Sequence, residues 1–293
     1  MITVVIPTCG RPEPLAACLV RLAPGAQTVG IDHYQVIVTD DGPPGRQVEE
    51  MIVEKFPWVW WTAGPRRGPA ANRNQGAILA NGDVLVFFDD DCLPDVGVLA
   101  VYARVFSEDP ELQAAEGRIV ADRQPVRFDE VAPINETGGL FWSCNIAVRT
   151  DLFRRLGGFD ERFPYPAMED VELRCRLRRA KIKSAFVPAA SVTHPLRIMN
   201  NWRATRQQAW AHGLYVRIES SDLGPFSWKD ASLRFVRFWL KGIIPNLWLY
   251  RGRGFWPRAR DSVMPFLCAW EMKRAARLPR LPTWTGTESR EKI

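Results

Sequence analysis

The sequence predicts an α/β protein, a mainly parallel sheet flanked by helices, followed by a mainly helical, basic C-terminal extension. Three observations predict it. Short apolar runs alternate with stretches of helical period over residues 1–195. Two of those runs stop at acidic clusters. The charge also changes sign near residue 195: residues 1–195 hold 21 basic and 26 acidic side chains, and residues 196–293 hold 18 and 7.

The elements follow in order. Ile2–Ile6 reads as a buried strand, ended by Pro7 and a turn-prone segment, and Leu15, Leu19 and Leu22 mark the helix after it. Tyr34–Thr39 is a second strand, ending in Asp40-Asp41-Gly42, and Val59–Thr62 is a third. Gly64–Gly68 is a punctuated loop before a helix over Ala70–Ala80. Asp83–Phe88 is a fourth strand, stopped by Asp89-Asp90-Asp91. Strands are expected near Leu112–Val120, Leu140–Val148 and Ala185–His194, helices near Leu152–Leu156 and Met168–Arg179, and a polar loop over Ala121–Thr137. Beyond Leu196, helical period recurs in Trp202–Arg217 and Ser232–Lys241, and the end, Thr283–Ile293, is polar.

Composition narrows the function. The 293 residues are 46% apolar and 25% charged, a globular balance that excludes extended disorder. The start, MITVVIPTCGRPEP, has no basic segment followed by a long apolar one, so a secretory leader is not expected. Six scattered cysteines without zinc spacing predict reduced thiols. The most apolar stretch, Phe235–Tyr250, is interrupted by Arg237, Lys241, Gly242 and Pro245, and makes a poor spanning helix.

Ligands of parallel sheets bind beyond the carboxyl ends of the strands. Three successive carboxylates at such an end repel one another and call for a counter-charge. Asp89 and Asp91, pointing the same way in an extended segment, suit a divalent cation that completes its shell on a nucleoside diphosphate, with Asp90 facing elsewhere. A solvated turn is the alternative. Asp40 and Asp41 suit a nucleobase or ribose, or simply a turn. Arg73, at the start of its helix, suits a phosphate or a base edge. Glu169 and Asp170 open a helix, where they favour its dipole and can also serve as a general base. His194 suits a metal or a buried backbone bond.

Six segments occur in one order: Val4-Val5-Ile6-Pro7-Thr8, Val38-Thr39-Asp40-Asp41-Gly42, Gly68-Pro69-Ala70-Ala71-Asn72-Arg73-Asn74, Phe88-Asp89-Asp90-Asp91-Cys92-Leu93-Pro94, Gly157-Gly158-Phe159-Asp160-Glu161 and Glu169-Asp170-Val171-Glu172-Leu173. Together they closely resemble glycosyltransferase family 2, inverting, metal-dependent enzymes of the GT-A fold. The resemblance implies a catalytic domain over residues 1–195, with 196–293 as an extension. It implies a UDP-, GDP- or dTDP-sugar donor and Mg2+ or Mn2+. Asp41 matches the base-binding acid with Asp40 beside it, Arg73 the nearby basic residue, and Asp89 and Asp91 the metal carboxylates. Pro7, Thr8, Arg11 and Asp90 join the donor-binding set. Gly138 and Gly139 resemble the glycine loop between donor and acceptor, Asp170 the catalytic base with Glu169 second, and His194 a further metal ligand. Asn72 departs from the family, which often has alanine there.

The extension is read from its own residues. Phe235, Phe238, Trp239, Ile243 and Ile244, among Arg234, Arg237 and Lys241, suit an interfacial helix on an anionic membrane, and Trp248, Trp256 and Trp270, with Arg251, Arg253, Arg258 and Arg260, continue the pattern; the alternative is the packing of a helical subdomain. The expected partners are a nucleotide sugar, a lipid-linked or cell-envelope glycan acceptor and an anionic membrane surface. The expected location is cytoplasmic, peripheral at the inner face of the cell membrane, with room for a homodimer. Nucleic acid is not expected, since an acidic catalytic region repels a polyanion. The alternatives are a GT-A-like nucleotidyltransferase and a non-catalytic basic binding protein.

Overall fold

Every residue of Ile2–Thr8 is buried, which needs both faces of the strand covered, and the run forms β1. The computed structural model describes residues 1–43, 47–198, 201–219 and 228–286; residues 287–293 of the polar end lie outside them. After β1 come α1 (Pro12–Leu22), β2 (Tyr34–Asp40), α2 (Gln47–Lys55), β3 (Trp60–Ala63), α3 (Pro69–Ile78) and β4 (Val84–Phe88). They continue with β5 (Leu93–Pro94), α4 (Val98–Glu108), β6 (Ala114–Ala121), β7 (Glu130–Val131), β8 (Asn145–Arg149), α5 (Thr150–Arg155), α6 (Glu169–Arg179) and β9 (Ser184–His194).

The main sheet has the order β3-β2-β1-β4-β8-β6-β9-β5. β1 runs parallel to β2 and β4, β2 to β3, and β6 to β9. β8 runs antiparallel to both β4 and β6, so the sheet is mixed but mostly parallel, as the sequence predicts. Alternation along the strands splits the core in two. Val4, Ile6, Val36, Val38 and Val86 pack with Leu15, Leu19, Leu99 and Tyr102 on one face. Val5, Leu85 and Phe87 pack with Ala77, Phe153, Leu173 and Leu177 on the other. Each fully buried aliphatic side chain contributes about 1.5–3 kcal/mol. The core holds the strand ends in register, and those ends carry the acidic residues. All six cysteines are free thiols.

The chain divides into two units. The first contains Met1–Ala121, Pro133–His194 and Trp284–Ile293, and so the whole main sheet. The second contains Asp122–Ala132 and Pro195–Thr283. In it β10 (Arg197–Ile198) pairs antiparallel with β7, so part of the expected polar loop is a strand. Its helices are α7 (Trp202–Ile218), α8 (Trp228–Arg237), α9 (Phe255–Asp261) and α10 (Met264–Ala275), with a π-helical turn over Phe238–Ile243 after α8. Ala209, Cys268 and Met272 form a small core between α7 and α10. Phe235 meets Phe266 at 5.7 Å, Trp239 meets Phe255 at 6.1 Å, and Ile243 is buried. Phe235, Trp239 and Ile243 therefore take part in the packing of the unit itself. Among the described residues, no helix is long and apolar enough to cross a membrane.

Candidate active site

β1, β2 and β4 deliver Thr8, Asp40 and Asp89 to the same edge of the sheet. Pro7 is a buried strand residue there, with only its backbone to offer. Thr8 Oγ1 donates to Asp90 at 2.6 Å, and Arg11 binds both Asp90, at 3.0 Å from Nε, and Asp91, at 3.3 Å. Asp90 is fully buried, and burial pushes it up to about 6 against the pull of Arg11 and the Thr8 bond. It ties the β4 end to the β1 end, and Arg11 bridges it to Asp91.

Asp40 accepts from the Gly10 and Gly42 amides, both at 2.8 Å. Asp41 accepts from the Arg66 amide at 2.8 Å and the Gly68 amide at 3.1 Å, and burial raises its pKa against those bonds. Both carboxylates thus staple loops at the expected base pocket. Gly68 sits at φ +94°, and a Cβ there would fall 2.3 Å from the Pro164 carbonyl oxygen. Only glycine lets this loop approach the segment that leads into α6. Asn72 Nδ2 donates to the Thr8 and Thr39 carbonyls at 3.0 and 2.9 Å, locking the ends of β1 and β2 together.

Arg73 is the hub. Its buried guanidinium donates to Asp89 at 2.6 Å and Glu169 at 3.2 Å, and lies 5.6 Å from the Phe159 ring. Burial alone would lower its pKa, but the Asp89 and Glu169 charges outweigh that and raise it. Glu169 is pushed up to about 8, first by burial and then by the Asp170 charge, and its Oε2 is buried without a hydrogen-bond partner. Asp170 is partly exposed, accepts from its neighbour Val171 at 2.7 Å and from the Ser143 amide, and is raised by burial. Acidic residues in the first turn of α6 and Arg176, Arg178 and Arg179 in its last suit the helix dipole.

β5 pairs antiparallel with the last residues of β9, and this brings His194 Nε2 to 3.3 Å from Asp91 Oδ1. Ligand atoms of Asp91, Cys92 and His194 lie within 4.8 Å of one another. The Cys92 thiol, a soft ligand, is held well above its usual range by its bond to Cys144 and by burial. Asp91 and His194 are therefore the pair whose chemistry fits a hard divalent cation. Asp89 spends one oxygen on Arg73.

Sequence reasoning missed Glu116. This buried carboxylate accepts from the amides of Gly139, Leu140, at 3.0 Å, and Phe141, at 2.7 Å, and from Asn135 Nδ2 at 2.8 Å. It fixes the loop containing Gly138 and Gly139, and that loop leads directly to Ser143, whose amide holds Asp170. Gly138 stands at φ +79° with Phe186 2.6 Å from where its Cβ would be. Arg174 of α6 clasps the Gly139 carbonyl at 2.9 Å. The available signal was a lone acid in the apolar run Ala114–Ala121.

An acid–imidazole pair, a buried guanidinium among carboxylates and a partly exposed aspartate thus gather at the strand ends and the start of α6. The family model of glycosyl transferase family 2 matches residues 3–154. The chain belongs to this family. It is accordingly a glycosyltransferase of the GT-A fold, and the nucleotidyltransferase and non-catalytic alternatives fall away. An N-acetylglucosaminyl-diphospho-decaprenol L-rhamnosyltransferase of Mycobacterium tuberculosis is 47% identical over 195 residues, 60% of this chain and 58% of that protein. A validoxylamine A glucosyltransferase of Streptomyces hygroscopicus is 29% identical over 220 residues, 60% of this chain and 51% of that one. The chain thus spans between half and three fifths of the length of these relatives. Among solved structures, a mannosyltransferase from Pyrobaculum calidifontis in complex with GDP-Man and Mn2+ aligns with TM-score 0.58 at 17% identity, over 93% of this chain and 86% of that one. S. aureus TarS residues 1–349 aligns with TM-score 0.56 at 16% identity, over 94% and 90%. At those identities the family 2 member shares a fold with them.

Proposed function

We propose that this glycosyltransferase moves a sugar, with inversion, from a nucleoside diphosphate donor to a hydroxyl of a lipid-linked cell-envelope glycan at the inner face of the membrane. The observation that carries the reading is Asp170: a carboxylate of raised pKa, held by two backbone amides, partly exposed, beside a buried guanidinium. Asp170 takes the acceptor proton as the hydroxyl attacks the anomeric carbon in line with the departing diphosphate. Glu169, buried and paired to Arg73, positions that guanidinium. Asp40 and Asp41, with the loop they staple, form the wall on which the nucleoside rests, and Pro7, Thr8 and Arg11 its floor. Gly138 and Gly139 form the loop between donor and acceptor, with Gly138 packed on Phe186. Asp91 and His194 would hold Mg2+ or Mn2+, with Asp89 alongside, and the ion would neutralise charge on the leaving diphosphate.

The relative that makes a rhamnosyl linkage on a decaprenol-linked acceptor points to a polyprenyl-diphosphate sugar as the acceptor class. The test is a panel of UDP-, GDP- and dTDP-sugars, L-rhamnosyl donors included, with Mn2+ and a short polyprenyl-diphosphate N-acetylglucosamine. One donor should release its nucleoside diphosphate in an acceptor-dependent way and give a product of inverted anomeric configuration. Retention of configuration, or no transfer from any donor, would refute the proposal.

A further inference from the structure

The second unit carries an apolar stripe that its own packing does not use. Leu233, Val236, Leu240, Ile244 and Leu247 recur at helical spacing through α8 and the turns after it. All five are exposed, between 40% and 59%. Trp248, at 93%, and Leu249, at 69%, close the stripe, and Trp256 stands exposed at 79%. The opposite side of the same segment, Phe235, Trp239 and Ile243, is the side that packs inward. A surface helix ordinarily turns polar residues outward, so a segment apolar on both sides has a second apolar environment to meet.

The charge around the stripe says which. Residues 231–260 contain seven cations, Arg234, Arg237, Lys241, Arg251, Arg253, Arg258 and Arg260, and no aspartate or glutamate. Arg237, Lys241, Arg251 and Arg253 are exposed. Arg258 and Arg260 pair with Asp261, but a second copy of this chain would set the four exposed cations against four more of the same sign. Anionic headgroups complement the cations, and the acyl boundary beneath them takes leucine and tryptophan.

We propose that the exposed stripe Leu233–Trp248, with Leu249 and Trp256, is the surface by which this enzyme lies on an anionic bilayer. The residues that enter the headgroup region are the outward ones: of those the sequence pattern suggests, Ile244, Trp248 and Trp256 are among them, while Phe235, Trp239 and Ile243 are on the inward side. The inference rests on the proposed membrane-side reaction only for the presence of a bilayer. The contact itself is read from the unit's own surface.

Vesicles of phosphatidylcholine, with and without phosphatidylglycerol, test it by co-sedimentation and by tryptophan quenching with brominated lipid. The full chain should bind the anionic vesicles, release them as salt rises, and show quenched tryptophan. Leu240→Asp with Leu247→Asp, both solvent-facing, should weaken binding at least tenfold with an unchanged far-ultraviolet circular dichroism spectrum. Arg237→Gln with Lys241→Gln should weaken it about 25-fold at low salt, about fivefold per cation. Equal binding by wild type and the leucine variant would overturn the proposal. So would equal binding to neutral vesicles, preference for single-stranded DNA, or a wild-type dimer that Leu240→Asp disperses. None of these outcomes depends on sugar transfer, so the donor panel and the vesicle assay fail separately.

Discussion

Asp170 and Glu169 are adjacent carboxylates with different surroundings, and the surroundings divide their roles. Glu169 is buried against Arg73, and burial with the adjacent Asp170 charge pushes it up to about 8, so its carboxyl serves the guanidinium and not an acceptor. Asp170, also raised by burial but partly exposed, is the carboxylate an acceptor can reach. A base works ionised, so kcat/KM should fall as pH drops through a value above the ordinary aspartate 3.8, and be retained on the alkaline side of it. Asp170→Asn should lose about 10²–10⁴-fold in kcat, keep donor binding and lose that acid limb. Initial rates across pH, beside donor affinity by calorimetry, check both, and near-normal turnover by the variant would contradict the assignment. Glu116 acts at one remove. Glu116→Gln keeps the shape but presents an amide to three backbone N–H groups. Loss of about 1.5–3 kcal/mol of charge-assisted bonding corresponds to about 10–100-fold in kcat if the loop must be ordered for Asp170 to act. Donor KM should stay unchanged, and a variant that changed KM alone would place Glu116 in donor binding instead. The carboxylates at strand ends were legible because nothing apolar accompanies them. Glu116 was not, because its partners are backbone amides of a loop distant in sequence, and an amide has no signature in a sequence.

The same limit shows in the elements. Apolar runs announced β1, β2, β4 and β8, but a strand covered on both faces reads alike whichever way it runs, so the antiparallel direction of β8 was not legible. In α8 the period marked a helix, while both of its sides are apolar, so period alone gave no way to tell the inward one. Contacts between elements follow the same rule, and Asn74 of α3 is the case with the largest consequence. Its side chain accepts from the Phe159 amide and donates to the Phe159 carbonyl, both at 2.8 Å, and reaches Glu161 at 3.0 Å. It thereby seats Phe159 under Arg73. Asn74→Ala leaves a buried backbone amide and carbonyl without partners, which costs about 1–3 kcal/mol in urea unfolding. It should also lower kcat, since Arg73 loses the ring that fixes it. Phe159→Leu should reproduce the kinetic loss with a smaller loss of stability. An Asn74→Ala enzyme with normal kcat and reduced stability would confine the contact to structure.

At the scale of the whole molecule, the net charge of +6 is the sum of two regions of opposite sign. The acidic residues of the first unit gather at a sheet edge around Arg73, Asp91 and His194, where cations and phosphates complement them. The cations of the second unit surround an exposed apolar stripe, where an anionic surface complements them. One chain therefore offers two ligands two separate sets of residues, and hydrogen exchange can read each set. Mn2+ with the productive nucleoside diphosphate should slow exchange in peptides spanning residues 7–11, 64–74, 89–92 and 167–172, because ligand binding to the native state suppresses local opening there. Anionic vesicles should slow exchange across 233–256 and leave those peptides unchanged. Asp91→Asn should erase the first pattern and spare the second, while Leu240→Asp with Leu247→Asp should do the reverse. A vesicle-induced change confined to the strand-end peptides would show that the lipid meets the acidic edge instead, and the division of labour between the two charges would be wrong.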